Sequence, residues 1–497
     1  MQPNSQGDSA GSHVESRDSP VIQHGGSTPP APPFPPDGSS EEMVLLDLHE
    51  DALAAIAAHT ADAVDLCCLS AACRTFHRLI MEDDASTQLV WASLVAELIP
   101  VPPPERAPCA QLYRALSSCD DLRWLPTELK VCRADPQRMK HELVGRTGAA
   151  VCELAGASLL FGGTLNGNHG PVLGDLLVLD YDEASKSVSI WPAPMEVLGA
   201  DGMEIHPGPR RGHSMTSTQL ADGSHVACVL GGWGYDELTM APALLHVVDE
   251  GGLFRWSRPQ VRGSLPDGRA FHTATEVARS SILVYGGLGS GCCRNDLALL
   301  DLHRMLWSQP AVGGIPRCPG GRAGHGACFF MNRERRGELL LISGALRSAS
   351  GDSHLDSVDV IEVESSFELD AHGDFGGTTL SLRWSDQSAW GNIVLPKVRT
   401  ATYAVIARSV LCWGGVGDQG QSNGRLHVID YERQRAREVH VREDPGVRGE
   451  CSSPRARGGA VAIPLSPVLV LVLCGGDHPY DDEADVLTSH TLKLALE

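Results

Sequence analysis

The sequence contains no run of about 18 uninterrupted apolar residues, the length a membrane helix requires,. Its longest apolar stretch, residues 460–474, is broken by Pro464 and Pro467 and reads as a buried strand. The first residues, MQPNSQGDSAGSHVE, lack a basic segment followed by an apolar one, so no secretory leader is expected,. Cys-x-x-Cys is absent although there are 15 Cys, which favours reduced, mostly buried thiols and a cytoplasmic or nuclear location,. The adjacent Cys292 and Cys293 read as a plain thiol pair in a loop rather than a metal site. Positive charge is in short supply: 40 Lys and Arg stand against 62 Asp and Glu, for a net charge of −22. That balance repels phosphate backbones, so neither nucleic acid nor a membrane is an expected partner.

What the chain does have is glycine. The 53 Gly imply many tight turns and an all-β repeat architecture, because Gly alone enters positive φ freely,. Residues 1–42 are the exception to any fold. Their STPPAPPFPPDGSS run has almost no large apolar side chain beyond Phe34 and cannot offset its ordering entropy, so a disordered tail is expected,. Over 43–98 the apolar residues recur at helical spacing, as in Leu53, Ile56 and Ala57, then Leu66, Leu69 and Cys73, then Phe76, Leu79 and Ile80,. A last helix over 86–98 carries Leu89, Val90, Leu94 and Leu98 with Trp91 alongside, and prolines from Pro100 onward end it,. So small a helical unit has a marginal core and gains from a partner surface. Residues 99–120 read as a linker, and 121–497 as the main domain.

That domain is repetitive. A strand ending in Gly-Gly recurs as LLFGG (Gly162), CVLGG (Gly231), LVYGG (Gly286), LCWGG (Gly414) and VLCGG (Gly475), with LLISG (Ser343, Gly344) as a degenerate sixth copy. The copies lie roughly 60 residues apart, as expected of a repeated unit whose insertions fall in its loops,. Two further markers keep phase. A basic residue, often with a His, precedes each copy: Arg146, Arg211 with His213, Arg269 with His272, Arg322 with His325, Arg399 and Arg457. A strand such as DLLVLD, DLALLD or RLHVID follows, and Trp191, Trp256, Trp307 and Trp384 come after it in four copies. Strands of alternating faces, three or four to a unit, make one propeller blade. The Trp residues are expected to fill the space between blades and the Arg and His to tie blade to blade, because a position repeated once per blade is architectural. The last copy lacks a Trp strand, and the segment 120–129 offers a stray one around Trp124. It is expected to complete the sixth blade and close the ring, which removes exposed sheet edges.

These residues resemble kelch repeats over roughly 122–497. The helical stretch resembles an F-box, through LLDLHEDAL (45–53), DLCCLSAACRTFHRLI (65–80) and LVWASL (89–94). F-box followed by kelch resembles the corresponding part of the Zeitlupe-type proteins, without their LOV module. The expected fold is therefore mainly all-β: a six-bladed kelch β-propeller preceded by a small all-α F-box-like unit and a disordered N-terminal tail. The resemblance implies a substrate-recognition adaptor of a Skp–cullin–F-box ubiquitin ligase. A Skp-type adaptor and its cullin complex are then partners, and an unidentified protein is the target. By position in the family, Leu46, Leu48, Leu53, Leu66, Leu69, Cys73, Arg74, Phe76 and Trp91 would form the F-box core and adaptor-facing surface. The alternative is a kelch scaffold or cytoskeletal binder with a degenerate F-box.

Chemistry of bond making is not expected. The sialidase Asp box, the Glu-x-x-x-Asp-x-x-x-His iron spacing, the P-loop and His-Glu-x-x-His are all missing, so no catalytic residue, cofactor or metal is assigned,. The long segments after the Gly-Gly turns are the expected target-facing loops. They are Thr164–Gly174, Trp233–Met240, Ala345–Asp356, Gly417–Gly424 and Asp477–Asp485. Asp236, Glu237, Asp418, Asp481 and Asp482 give them an acidic rim that suits a basic partner segment,. The insertion at 363–382 is expected to be a long loop between the third and fourth strands of blade four.

Overall fold

The computed structural model describes residues between Trp91 and Leu494, with gaps, and beyond residue 443 it describes strand backbone only. The described residues all belong to a compact unit spanning Glu50–Glu497; the other unit is Met1–His49. Trp91, Ala92, Val95 and Ala96 are helical. Trp91 and Val95, four residues apart on one helix face, are buried, and the Trp91 ring lies 5.4 Å from that of Tyr113,. Tyr113, Leu116 and Ser117 are helical too, within the span read as a linker. Leu46, Leu48, Leu53, Leu66, Leu69, Cys73, Arg74 and Phe76, like the tail, lie outside the described residues.

From Leu122 on the described chain is mainly strand, in a β-propeller arrangement. Five blades, not six, are each built from one run of chain. Blade one has strands Ala150–Leu154, Ala157–Leu165, Val172–Asp182 and Ser187–Pro192, from inside to outside. Blade two has Ser214–Gln219, His225–Leu230, Ala243–Val247 and Phe254–Ser257. Blade three has Thr273–Ala278, Ser281–Tyr285, Leu297–Asp301 and Leu306–Ser308. Blade four has Gly326–Met331, Gly337–Ile342, Val358–Leu369 and Phe375–Trp384. Blade five has Thr402–Ile406, Ser409–Trp413, Leu426–Asp430 and Arg435–Val439.

The last Gly-Gly copy belongs to a sheet of different make-up. Val461–Ser466, Leu469–Cys474 and Thr488–Leu494 come from the end of the chain, and Leu122–Pro126 adds itself beyond them, with Trp124 opposite Leu492. Residues 460–474, read as one strand, are thus two antiparallel ones. The innermost strand Val461–Ser466 adjoins both Thr402–Ile406 and Ala150–Leu154.

Each second strand is apolar on both faces because it is covered from both sides. Ile282 and Val284 pack toward blade two, whereas Leu283 and Tyr285 pack toward blade four. That explains the unbroken runs ILVY, VACVL and VLCW, which alternation would forbid in a half-exposed sheet. Trp256, Trp307 and Trp384 fill the gaps between blades as expected. Blade five has no Trp on its outer strand, and Trp390 from the preceding connection occupies the same kind of gap beside Phe330 and Tyr431. The insertion at 363–382 is not a loop. It lengthens the third and fourth strands of blade four into Val358–Leu369 and Phe375–Trp384, which pair with each other along their length.

The phased polar residues tie the blades. Gly162, Gly231 and Gly286 have φ of +64°, +66° and +64°, and a Cβ on Gly231 would stand 2.6 Å from the Arg269 carbonyl oxygen. Only glycine fits so close to backbone at that φ. Three buried arginines then hold a carboxylate at the head of the third strand: Arg146 with Asp175 (2.6 Å), Arg269 with Asp296 (2.7 Å) and Arg322 with Asp359. In blade two the equivalent residue is Arg210 and not Arg211: Gly232 donates to the Arg269 carbonyl just as Gly163 donates to that of Arg210. In blade five Val398 takes the place, since Gly344 donates to its carbonyl, and Arg399 is displaced by one. The histidines reach the preceding blade, with His272 Nε2 3.0 Å from Ser214 Oγ and His325 Nε2 2.9 Å from Thr273 Oγ1. His213 is the exception. The corresponding residue in blade one is Ala150, which has no hydroxyl, and His213 Nε2 has no hydrogen-bond partner. Between blades four and five Tyr403 serves instead, donating to the Ile342 carbonyl at 3.2 Å.

Candidate functional site

The axis of the propeller is pinched by one residue from each blade. Gly148, Gly212, Phe271, Gly324 and Thr400 follow the arginine position by two and are linked in sequence by backbone hydrogen bonds of 2.7–2.8 Å. All five have φ between +54° and +65°. Glycine accepts that conformation freely, whereas Phe271 and Thr400 carry strain that the hydrogen-bonded ring must hold. The Phe271 side chain lies over Gly212, where a Cβ would meet its ring at 3.1 Å, and sits edge-on to Trp233 at 5.4 Å.

On one side of this constriction opens a cavity of about 270 Å³. Trp233, Leu288 and Val416, which directly follow three of the Gly-Gly pairs, and Ala345, which follows Ser343-Gly344, line it together with Thr147, Arg211, Phe271, Cys293 and Arg399. The loops beginning at those residues therefore surround one mouth. Arg211 stands over Trp233 at 5.3 Å, and partial burial lowers its pKa from the ordinary arginine value,. On the other side a second cavity of about 170 Å³ is lined by His213, His272 and His325 and by Ala149 and Ala401 at the equivalent positions. Burial, reinforced by Arg210 and Arg269, depresses His213 and His272 to about 3. His325 lies well below its ordinary value for the same reason, so all three imidazoles are neutral at physiological pH,.

Asp236, Glu237, Asp481 and Asp482 lie outside the described residues, and among the described residues no Asp or Glu lines the cavity. Asp418 is exposed but occupied: His354 donates to it from its backbone N–H at 3.1 Å and meets it again through Nδ1. These bonds hold the Asp418 carboxyl below the usual carboxylate range. They tie blade five to the hairpin Ala345–Ser348 and Gly351–His354, which occupies most of an expected loop. Among the described residues, the mouth presents Arg211, Arg399 and aromatic surface. Phe271 and Thr400 gave no sign in the sequence, because their importance lies in a φ value that neither residue type announces.

The described helical residues lie at the opposite end. Trp124 and its neighbours enter the last sheet with Leu122 opposite Leu494, far along the strand from the Gly-Gly turn. Arg433, in the turn of blade five away from the mouth, donates to the Ser117 carbonyl at 3.4 Å.

Sheets of this kind around an axis, phased by Gly-Gly turns, define a kelch-repeat β-propeller, and this chain is a kelch-repeat protein. Residues 119–366 match the KLHDC2/KLHL20/DRC7 Kelch-repeats domain. The chain is 28% identical to Adagio protein 3 of Arabidopsis thaliana over 224 residues, which cover 43% of this chain and 31% of that protein. It is 37% identical to Acyl-CoA-binding domain-containing protein 4 of Arabidopsis thaliana over 109 residues, 22% of this chain and 15% of that protein. It is 32% identical to human Host cell factor 1 over 95 residues, 18% and 4% respectively. The match thus spans less than a third of the length of these relatives. A chain in the cryo-EM structure of RAG in complex with one melted and one unmelted RSS shares the fold, with a TM-score of 0.50 at 14% identity, over 75% of this chain and 99% of that one.

Proposed function

We propose that this protein is a two-ended protein adaptor, the substrate-recognition component of a Skp–cullin–F-box ubiquitin ligase. The separation of its ends carries the reading: the mouth lies at one end of the propeller, and the described helical residues between Trp91 and Ser117 lie at the other. The sheet that joins Leu122–Pro126 to the final strands ties the start of the described β-region to its end. The helical unit takes the Skp-type adaptor through the F-box residues from Leu46 to Trp91. The mouth takes a target segment whose apolar side chain meets Trp233 and Phe271 and whose acidic side chains face Arg211 and Arg399. No bond chemistry is assigned to the chain; tethering raises the concentration of target lysines near the ligase.

Co-purification of the full chain with a Skp-type adaptor tests the first half. Stoichiometric binding that Leu66→Asp abolishes is the expected result, and binding indifferent to that change sinks it. His49 stands where the F-box family usually has Pro, which favours the second reading, a kelch scaffold with a degenerate F-box. That reading predicts no adaptor binding at all.

A further inference from the structure

Among the described residues, the buried arginine of blade two has no acidic partner. In blades one and three the guanidinium makes a repeated set of bonds. For Arg269 these are Nε to the Asp267 carbonyl (3.0 Å), Nη1 to the Gly286 carbonyl (3.1 Å), and Nη1 and Nη2 to the two Asp296 oxygens (2.7 and 2.8 Å). Arg210 repeats the first two, with Nε to the Gly208 carbonyl at 3.2 Å and Nη1 to the Gly231 carbonyl at 2.9 Å. Its Nη2 then meets only the Pro207 carbonyl. The strand register shows why. Asp175 and Asp296 each precede the residue opposite the last position before Gly-Gly, namely Leu176 opposite Phe161 and Leu297 opposite Tyr285. In blade two Ala243 pairs with Val229, which puts Ala241 at the carboxylate position.

Arg210 is 9% exposed and has no carboxylate partner among the described residues. A guanidinium has five N–H donors, of which three are used here. A second cation, Arg258, is close enough to depress Arg210, after the larger effect of burial. Arg258 is exposed, and its Nη2 donates to the His206 carbonyl at 2.7 Å. A buried cation without a counter-charge is costly, and a planar guanidinium is shaped for a bidentate carboxylate. The position is reachable from outside: the Asp175 and Asp296 side chains are 35% and 36% exposed, and Ala241 is exposed.

We infer that Arg210 and Arg258 form a carboxylate-binding site at the rim of blade two, open where Ala241 leaves out an aspartate, and that an acidic side chain of a bound protein segment fills it. The site is separate from the cavity that Arg211 and Arg399 line, and it does not depend on the ligase assignment.

The test uses the purified full chain, a capped hexaglutamate peptide and sodium acetate. Wild type is expected to bind the peptide. Ala241→Asp is expected to weaken that binding at least tenfold while raising the melting temperature, because the new aspartate occupies Arg210. Arg258→Ala, at an exposed position, is expected to weaken it at least threefold with the melting temperature unchanged. Acetate at constant ionic strength that stabilises wild type and not Ala241→Asp shows that free carboxylates enter as well. Peptide binding without an acetate effect shows that a protein segment is needed. Equal peptide affinity in wild type and both variants overturns the inference, as does failure of the peptide to bind wild type. Skp-type adaptor binding is not measured here, so failure of this site leaves the ligase reading standing and the converse holds too.

Discussion

Acid should loosen this propeller through its inner cavity. His213, His272 and His325 are neutral and buried, with folded-state pKa values of about 3 for the first two and a strong depression for the third. An unfolded histidine titrates near ~6.5. Below that pH the unfolded chain binds protons that the folded chain refuses, so stability is full above it and falls as pH drops toward the folded values. Each group contributes about 1.4 kcal/mol per pH unit in the sloping region. Between pH 7 and pH 5 that amounts to roughly 2 kcal/mol for each of His213 and His272, and His325 adds in the same direction,. His213→Ala isolates one of them, and Ala149 and Ala401 show that alanine is accommodated at this position in blades one and five. Urea unfolding followed by tryptophan fluorescence at pH 7, 6 and 5 gives both curves. The variant should lose about 2 kcal/mol less than wild type across that range. Parallel losses in the two proteins would refute the reasoning, because they would mean that His213 is solvated or already protonated in the fold.

Ala150→Ser supplies the hydroxyl that His213 Nε2 lacks, and should raise the unfolding free energy by about 1 kcal/mol in calorimetry. Ser214→Ala, which strips the same bond from His272, should lower it by about 1–3 kcal/mol,. Gly231→Ala brings a Cβ to 2.4 Å from His272 Cε1 and should cost several-fold more than Gly223→Ala, where nothing lies within 4 Å, as denaturant midpoints would show. Trp256→Ala should cost about 3–5 kcal/mol by emptying the gap between blades one and two,. Among the described cysteines, exposed Cys292 should react first with a maleimide, followed by mass spectrometry. Cys328 and Cys412 should react only on unfolding, since burial pushes both thiols up to about 12,.

Much of the fold was legible because its markers are local. A Gly-Gly turn needs positive φ whatever surrounds it, and an apolar run such as SILVY states that both faces will be covered. The Trp124 strand was legible as the piece missing from an incomplete last copy. The site was far less so. Asp418 looks like a free rim carboxylate until His354 is seen to hold it, and Arg211 looks like the structural arginine when Arg210, one residue earlier, takes that place.

By itself, the sequence determined the repeat, the phase of its strands and the packing role of Trp256, Trp307 and Trp384, since these follow from residue type and spacing alone. The tertiary structure decided which residues meet at the axis, that the 363–382 insertion continues a hairpin, and that one arginine of a repeated set has no acid beside it among the described residues. Those outcomes depend on register between strands far apart in the chain, and a shift of one residue moves every side chain to the other face.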